Sequence, residues 1–291
     1  MARTKIFEKK LSLNCKGKII DLSTPKIMGI INITPDSFFD GGKYLTDNEI
    51  IARITQLIED GADFIDIGAV STRPGAEMVS QEEEWTRLLP ALEMVKKNFE
   101  NYPFSLDTFR SEIAGRAVSD YGISMINDIS AGEMDNDMFN TVAALNVPYI
   151  IMHMQGNPQN MQENPVYKNV TNDIIGYFAR KVEKLKLLGV NDIIIDPGFG
   201  FGKSLEHNYR LLNSLEAFKM FDLPVLVGIS RKSMINKLLG ILPENALNGT
   251  TVLNTIALLK GANILRVHDV KEAKEAITLV SYANKFITTN S

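Results

Sequence analysis

Polar residues in this sequence gather at one kind of place, the C-terminal end of a short apolar run. Asn32 closes "KIMGIIN", Asp66 sits late in "DFIDIG", Asp107 closes "PFSLD" and Asn127 lies in "SMIND". His153, Asp196 and Ser230 end "VPYIIMH", "DIIID" and "LPVLVGIS", and Arg266 and His268 end "NILRVH". A lone Asp or Asn before a turn is ordinarily the cap of the next helix. Asp107, Asn127 and Asp196 around one mouth instead suit a ligand rich in hydrogen-bond donors, such as an aminopyrimidine ring.

A second group of residues suits anions. "DIGAVSTRPGAE" delivers Ser71, Thr72, Arg73 and Gly75 straight from a strand. That is either a fork for phosphate or carboxylate, or a surface turn whose Arg73 pairs with Glu77 or Glu82. "GISRKSMI" puts Ser230, Arg231 and Lys232 at a helix start, a natural anion site. In many barrels the loops after the last two strands hold a phosphate, which brings in Arg266 and His268. No His/Cys cage is spaced for a resident metal, whereas Mg2+ arriving with a phosphorylated substrate needs only one or two protein ligands. Other segments read more plainly. "DPGFGFGKSLEHN" lacks the spacing of a dinucleotide fingerprint, His207 reads as a capping or surface residue, and His153 as a hydrogen-bonded rim histidine. "INITPDSFFDGGKY" is a long loop after the first strand.

Some scaffold must bring these strand ends together. Between the apolar runs lie amphipathic helical patterns, among them "DNEIIARITQLIEDGA", "SQEEEWTRLLPALEMVKKNFE", "VTNDIIGYFARKVEKLKLLGV" and "LNGTTVLNTIALLKGA". Gly61, Gly189 and Gly261 follow helices where a C-terminal cap favours glycine. The strands are apolar throughout rather than alternating, as in a parallel sheet covered on both faces. Eight of them in alternation with helices predict an α/β fold, a (β/α)8 TIM barrel forming a single domain over residues 1–291. An open doubly wound sheet is the competitor; polar residues at nearly every strand end favour the barrel, which gathers those ends at one mouth. Residues 1–25, with "LSLNCKGKIIDL", read as an N-terminal hairpin across the bottom.

Composition narrows the partners. The chain has 291 residues, 45% apolar and 23% charged, with net charge −4 and no basic block, which argues against nucleic acid. No apolar run approaches a membrane span, nothing at the N-terminus resembles a signal peptide, and Cys15 is the sole cysteine. A cytoplasmic protein is expected.

Taken in order, "IMGIINITPDSFFDGG", "DIGAVSTRPGAE", "SLDTFR", "MINDISAG", "MHMQGNPQNMQ", "IIDPGFGFGKSLEHN", "VGISRKSMI" and "LRVHDV" resemble the dihydropteroate synthase family along almost the whole chain. The resemblance implies a transferase of folate synthesis and a sulfonamide target. Such an enzyme joins 6-hydroxymethyl-7,8-dihydropterin pyrophosphate to p-aminobenzoate, releasing pyrophosphate and forming 7,8-dihydropteroate. It implies a pterin pocket of Asp107, Asn127, Met152, Asp196 and Lys232, with Arg266 stacked on the ring and reaching the pyrophosphate. His268 and Asn32 would hold the pyrophosphate, Asn32 also meeting Mg2+. Thr72, Phe201, Ser230 and Lys232 would frame the aminobenzoate, and Gly228 would also bind substrate; Asp107, Arg73, Lys232 and Arg266 would be the catalytic set. The family resemblance further implies loops after the first two strands that close over both substrates, and a homodimer formed through late helices.

One position departs from the family pattern: Val70 stands where a glutamate usually precedes Ser71, removing a charge able to steady Arg73. Rival readings are a cobalamin-dependent methyltransferase-type pterin barrel, a catalytically silent pterin-binding paralogue, and a phosphate-binding barrel with another substrate. The first would not need "STRPG", "SRKS" or "RVHD"; the second finds its only hint in Val70.

Overall fold

Helix boundaries follow local chemistry. Thr46 caps α1 (Asp47–Glu59) through a reciprocal box with Glu49, and Ser80 caps α2 (Gln81–Asn98) by accepting from the Glu83 amide. The chain leaves α1 through Gly61 at φ +97°, a left-handed position that glycine occupies at little cost. The structure, a computed structural model, describes residues 11–33, 46–71, 75, 78–157, 159, 161 and 165–287.

Among these residues the chain begins with a hairpin, β1 (Ser12–Cys15) and β2 (Lys18–Asp21). Then come β3 (Lys26–Asn32), α1, β4 (Phe64–Gly68), α2, β5 (Phe104–Asp107), α3 (Ser111–Tyr121), β6 (Met125–Asp128), α4 (Met138–Leu145) and β7 (Tyr149–Met152). The second half continues α5 (Val170–Leu187), β8 (Ile193–Asp196), α6 (Leu205–Asn213), β9 (Leu226–Val227), α7 (Ser233–Leu239), α8 (Leu247–Leu259), β10 (Ile264–Val267) and α9 (Val270–Ile287). The eight strands β3 to β10 pair in parallel in the order β8-β7-β6-β5-β4-β3-β10-β9. A bridge between Ile195 and Val225, with the Ile195 amide donating to the Pro224 carbonyl at 3.0 Å, brings β8 against β9 and nearly closes the ring. This is the expected TIM barrel.

The alternation of strand side chains decides what faces the interior. Ile65, Ile67, Leu106, Ile126, Ile151, Ile195, Val227 and Leu265 point outward into the core shared with the helices. Met28, Phe64, Met125, Ile150, Ile194, Leu226 and Ile264 point inward, where Leu13, Cys15 and Leu22 of the hairpin segment seal the bottom. The hairpin lies where the sequence placed it. Two residues further along the same strands, the inward phase yields Asp66, Asn127, Met152, Asp196, Gly228 and Arg266. The apolar floor and the polar mouth are successive layers of one pattern.

The same alternation separates two neighbours. Asn127 faces the interior, whereas Asp128 faces outward and is fully buried beneath the helices. There it accepts from the Tyr149 hydroxyl at 2.6 Å and from the amide and hydroxyl of Ser130 and the amide of Gly132, each at 2.7 Å. Burial pushes its carboxyl above the usual range. Asp128 therefore holds the β6 turn. β9 is shorter than "LPVLVGIS" predicts, because only Leu226 and Val227 pair with β10 before the chain leaves the sheet at Gly228.

Candidate active site

Arg266 crosses the middle of the mouth. Its Nε donates to Asp66 Oδ2 at 2.7 Å and its Nη2 to Asp107 Oδ2 at 2.8 Å. Asn127 Nδ2 donates to the same Asp66 oxygen at 2.9 Å. Residues from β10, β4, β5 and β6 thus form one polar network, a chain of charge-assisted bonds in a low-dielectric interior. Asp66 is fully buried and its Oδ1 has no hydrogen-bond partner among the described residues. Burial, reinforced by the Asp66 carboxylate, outweighs the Arg266 charge and raises the Asp107 carboxyl to about 7.

Across the mouth, Asp196 Oδ1 accepts from the Gly198 amide at 2.8 Å, and burial raises its carboxyl against the opposing pull of Lys232. Lys232 Nζ donates to the Phe199 carbonyl at 2.5 Å and lies 4.5 Å from the centroid of the Phe201 ring. Burial lowers its ammonium to about 8. A Cβ on Gly228 would sit 3.8 Å from Arg266 Cβ and 3.9 Å from Lys232 Nζ, ordinary contact distances that place this backbone beside both cations. Met152 and Phe201 belong to a small apolar wall with Phe109, Ile129 and Met154.

His268 stands exposed at the mouth, its Nδ1 3.1 Å from Ser230 Oγ. Partial burial of the ring, together with the nearby Arg266 charge, lowers its pKa to about 4. Asn32 ends β3, half-buried, in register with Gly68. Thr72 and Arg73, with residues 74, 76 and 77 of the loop after β4 and residues 34–45 after β3, lie outside the described residues.

Three readings of the sequence change or sharpen here. Arg231 does not serve the mouth: its guanidinium takes Asp269 at 2.7 and 2.9 Å and also donates to the carbonyls of Pro243 and Glu244, at a left-handed φ of +55°. None of Asp107, Asn127 and Asp196 caps a helix; the α3 start is served by Asp135, whose Oδ2 accepts from the Ser111 amide at 2.7 Å. His207 is the reciprocal cap partner of Ser204, and His153 is a satisfied rim residue bonded to Lys203.

Lys203 went unnoticed in the sequence. It is 2% exposed, and its Nζ reaches the carbonyls of Gly198 at 2.8 Å, Phe201 at 2.9 Å and His153 at 3.2 Å, and His153 Nδ1 at 3.1 Å. It pins the glycine loop that carries Phe199 and Phe201 onto the end of β7. Gly198, at φ +72°, fits only without a side chain, since a Cβ would lie 2.0 Å from the His153 carbonyl oxygen. Asp66 was visible as a strand-end residue, but its grip on Arg266 was not. A further ion pair, Glu84 of α2 with Arg110, ties the loop after β5 to the Val79 carbonyl. Among the described residues no cluster of three or more His, Cys, Asp or Glu is placed to hold a metal.

The arrangement offers acceptors and an amide to a polar ring, with two cations and an imidazole for an anion beside it. The sequence pattern described as pterin binding enzyme matches residues 28–268. The dihydropteroate synthase of Escherichia coli is 43% identical over 272 residues, covering 93% of this chain and 95% of that protein. The chain belongs to the dihydropteroate synthase family. Among solved structures, the Yersinia pestis dihydropteroate synthase in a sulfonamide complex superposes with a TM-score of 0.89 at 40% identity, covering 94% of this chain and 100% of that one. The Xanthomonas albilineans dihydropteroate synthase in complex with 7,8-dihydropteroate gives 0.83 at 36% identity, covering 94% and 99%. The pterin-enzyme match begins at Met28, an inward residue of β3, and ends at His268. It therefore spans every residue of the mouth described above.

Proposed function

We propose that this barrel catalyses the dihydropteroate synthase reaction, condensing 6-hydroxymethyl-7,8-dihydropterin pyrophosphate with p-aminobenzoate in folate synthesis. The observation that carries this is Arg266 held between Asp66 and Asp107, beside Asn127 and across from Asp196 and Lys232. In this reading Asp107, Asn127 and Asp196 match the donors and acceptors of the pterin edge, and Met152 lines the ring. Arg266 stacks on the ring and reaches the pyrophosphate, which His268 and Asn32 also contact. Lys232, Phe201, Gly228 and Ser230 frame the aminobenzoate, where a sulfonamide would compete. Thr72 and Arg73 join them on the strength of the family motif.

The reaction is a dissociative substitution. The C–O bond to pyrophosphate breaks with its electron pair leaving on oxygen; a pterin-methyl cation results, and the aniline nitrogen attacks it and loses a proton. Asp107 and Asp196 favour the cationic ring while Arg266 and Arg73 offset the leaving charge, electrostatic help placed where charge develops. No protein nucleophile is required. Mg2+ would enter as a companion of the pyrophosphate rather than as a caged cofactor, with the Asn32 amide oxygen as its protein ligand; no cluster of His, Cys, Asp or Glu is placed to hold it among the described residues. It would supply charge neutralisation to the leaving group.

The same reading takes residues 1–291 as one domain of a cytoplasmic homodimer. No helix of the described residues is long and apolar enough to cross a membrane. Large apolar side chains stand exposed on the late helices, Leu238 and Leu239 on α7 and Tyr282 and Phe286 on α9, as a paired face requires. Product analysis tests the enzymatic reading. Dihydropteroate forming from both substrates supports it; pterin binding without product leaves the silent paralogue.

A further inference from the structure

The loops after β9 and β10 are stitched together at two successive pairs. Arg231 meets Asp269, and one residue earlier in each loop Ser230 Oγ lies 3.1 Å from His268 Nδ1. The same oxygen accepts the His268 backbone N–H at 3.2 Å. Ser230 is 4% exposed, so its hydroxyl is largely shut off from solvent. A serine hydroxyl has one proton to give and two lone pairs to receive with. One lone pair is taken by the His268 amide, and among the described residues the proton has one acceptor in reach, Nδ1. A proton donated there requires Nδ1 to be bare, which puts the ring proton of a neutral imidazole on Nε2.

We propose that Ser230 is a positioning residue that fixes His268 as its Nε2–H tautomer, so that the imidazole presents an N–H donor to the pyrophosphate as it leaves. The pyrophosphate half of this proposal rests on the function proposed above; the tautomer does not. The ring is neutral near pH 7, since its pKa lies at about 4, and a neutral ring has only one proton to place. Nε2 makes no bond to the described residues, and the side chain is exposed at the mouth, where an anion would meet it. Had the proton sat on Nδ1, Ser230 would satisfy it internally and the mouth would present a lone pair to an anion, which repels. Ser230 thus acts on the pyrophosphate through His268, a role separate from any contact with the aminobenzoate.

The test is direct because the chain has only three histidines, His153, His207 and His268. Long-range proton–nitrogen spectra of the nitrogen-15-labelled full chain report the tautomer of each. The expected result is Nε2–H for His268 in the unaltered protein and an averaged tautomer in Ser230→Ala, with the His153 and His207 signals unmoved. Pyrophosphate with Mg2+ should then bind roughly tenfold more weakly to Ser230→Ala, the loss of about one hydrogen bond, while the KM for p-aminobenzoate changes less. An Nδ1–H signal in the unaltered protein overturns the proposal even where Ser230→Ala does not fold. An unchanged tautomer in Ser230→Ala also overturns it, as does a raised aminobenzoate KM with unaltered pyrophosphate affinity. Pyrophosphate that fails to bind the unaltered protein, with Nε2–H in place, overturns the pyrophosphate half together with the site reading on which it rests.

Discussion

At the scale of residues, the site depends on charges kept in an interior where each would be costly alone. Arg266 is balanced by Asp66 and Asp107, so Arg266→Ala leaves two buried carboxylates without their cation. Arg266→Ala and Asp107→Asn are each expected to lower turnover by orders of magnitude while the protein stays folded by circular dichroism. Near-normal rates in both would refute the roles given to them. The ionisations set a pH profile. Asp107, raised to about 7, loses its carboxylate as pH falls through that value, and Lys232, lowered to about 8, loses its charge as pH rises. Steady-state rates should therefore give a narrow bell for kcat/KM of the pterin substrate, with limbs near 7 and 8. The acid limb is not unfolding driven by Asp107. A carboxyl raised in the folded state binds its proton more tightly folded than unfolded, so its contribution to stability is present at low pH and is lost as pH rises toward about 7. A melting temperature that collapses along with activity at pH 6, and recovers in Asp107→Asn, would contradict this. Asp128 is the contrasting case. Tyr149→Phe, which leaves one buried acceptor short of a donor, should cost roughly 1–3 kcal/mol in denaturant unfolding and leave kcat unchanged.

At the scale of elements, the strands were legible because a parallel strand covered on both faces reads as an apolar run, and β3 matches its predicted bounds at Lys26 and Asn32. The inward phase was legible in principle too, since Phe64 and Asp66, or Ile264 and Arg266, are two residues apart on one strand. What the sequence could not convey was pairing across the barrel. Asp66 and Arg266 are 200 positions apart, and nothing local marks one as the other's partner. Lys203 was hidden for a similar reason: a lysine in a glycine-rich loop looks solvated until the loop folds back over it. The glycine loop between β8 and α6 should accordingly be sensitive to small changes. Gly198→Ala is expected to lower both the melting temperature and the affinity for pterin, because its Cβ would meet the His153 carbonyl at 2.0 Å in a left-handed backbone. Calorimetric titration with pterin checks this, and affinity equal to that of the unaltered protein would contradict it.

For the whole molecule, the hairpin seals one end of the barrel with Leu13, Cys15 and Leu22, so that chemistry is confined to the other. The homodimer proposed above would cover apolar side chains at and just beyond the end of α7, where Leu239 and Leu242 are 55% and 61% exposed. Leu239→Glu with Leu242→Glu should convert a dimer to a monomer in light scattering; a monomeric unaltered protein would rule out the homodimer. With Val70 in the loop after β4, Asp66, Asp107, Asn127, Lys232 and Arg266 are still assembled at the mouth, and the decision between an active enzyme and a silent pterin binder is therefore kinetic. The most direct measurement is pyrophosphate release with 6-hydroxymethyl-7,8-dihydropterin pyrophosphate, p-aminobenzoate and Mg2+ together. Continuous release that requires both substrates and is lost in Arg266→Ala is the predicted result. Pterin that binds while no pyrophosphate appears above the uncatalysed rate would contradict the account.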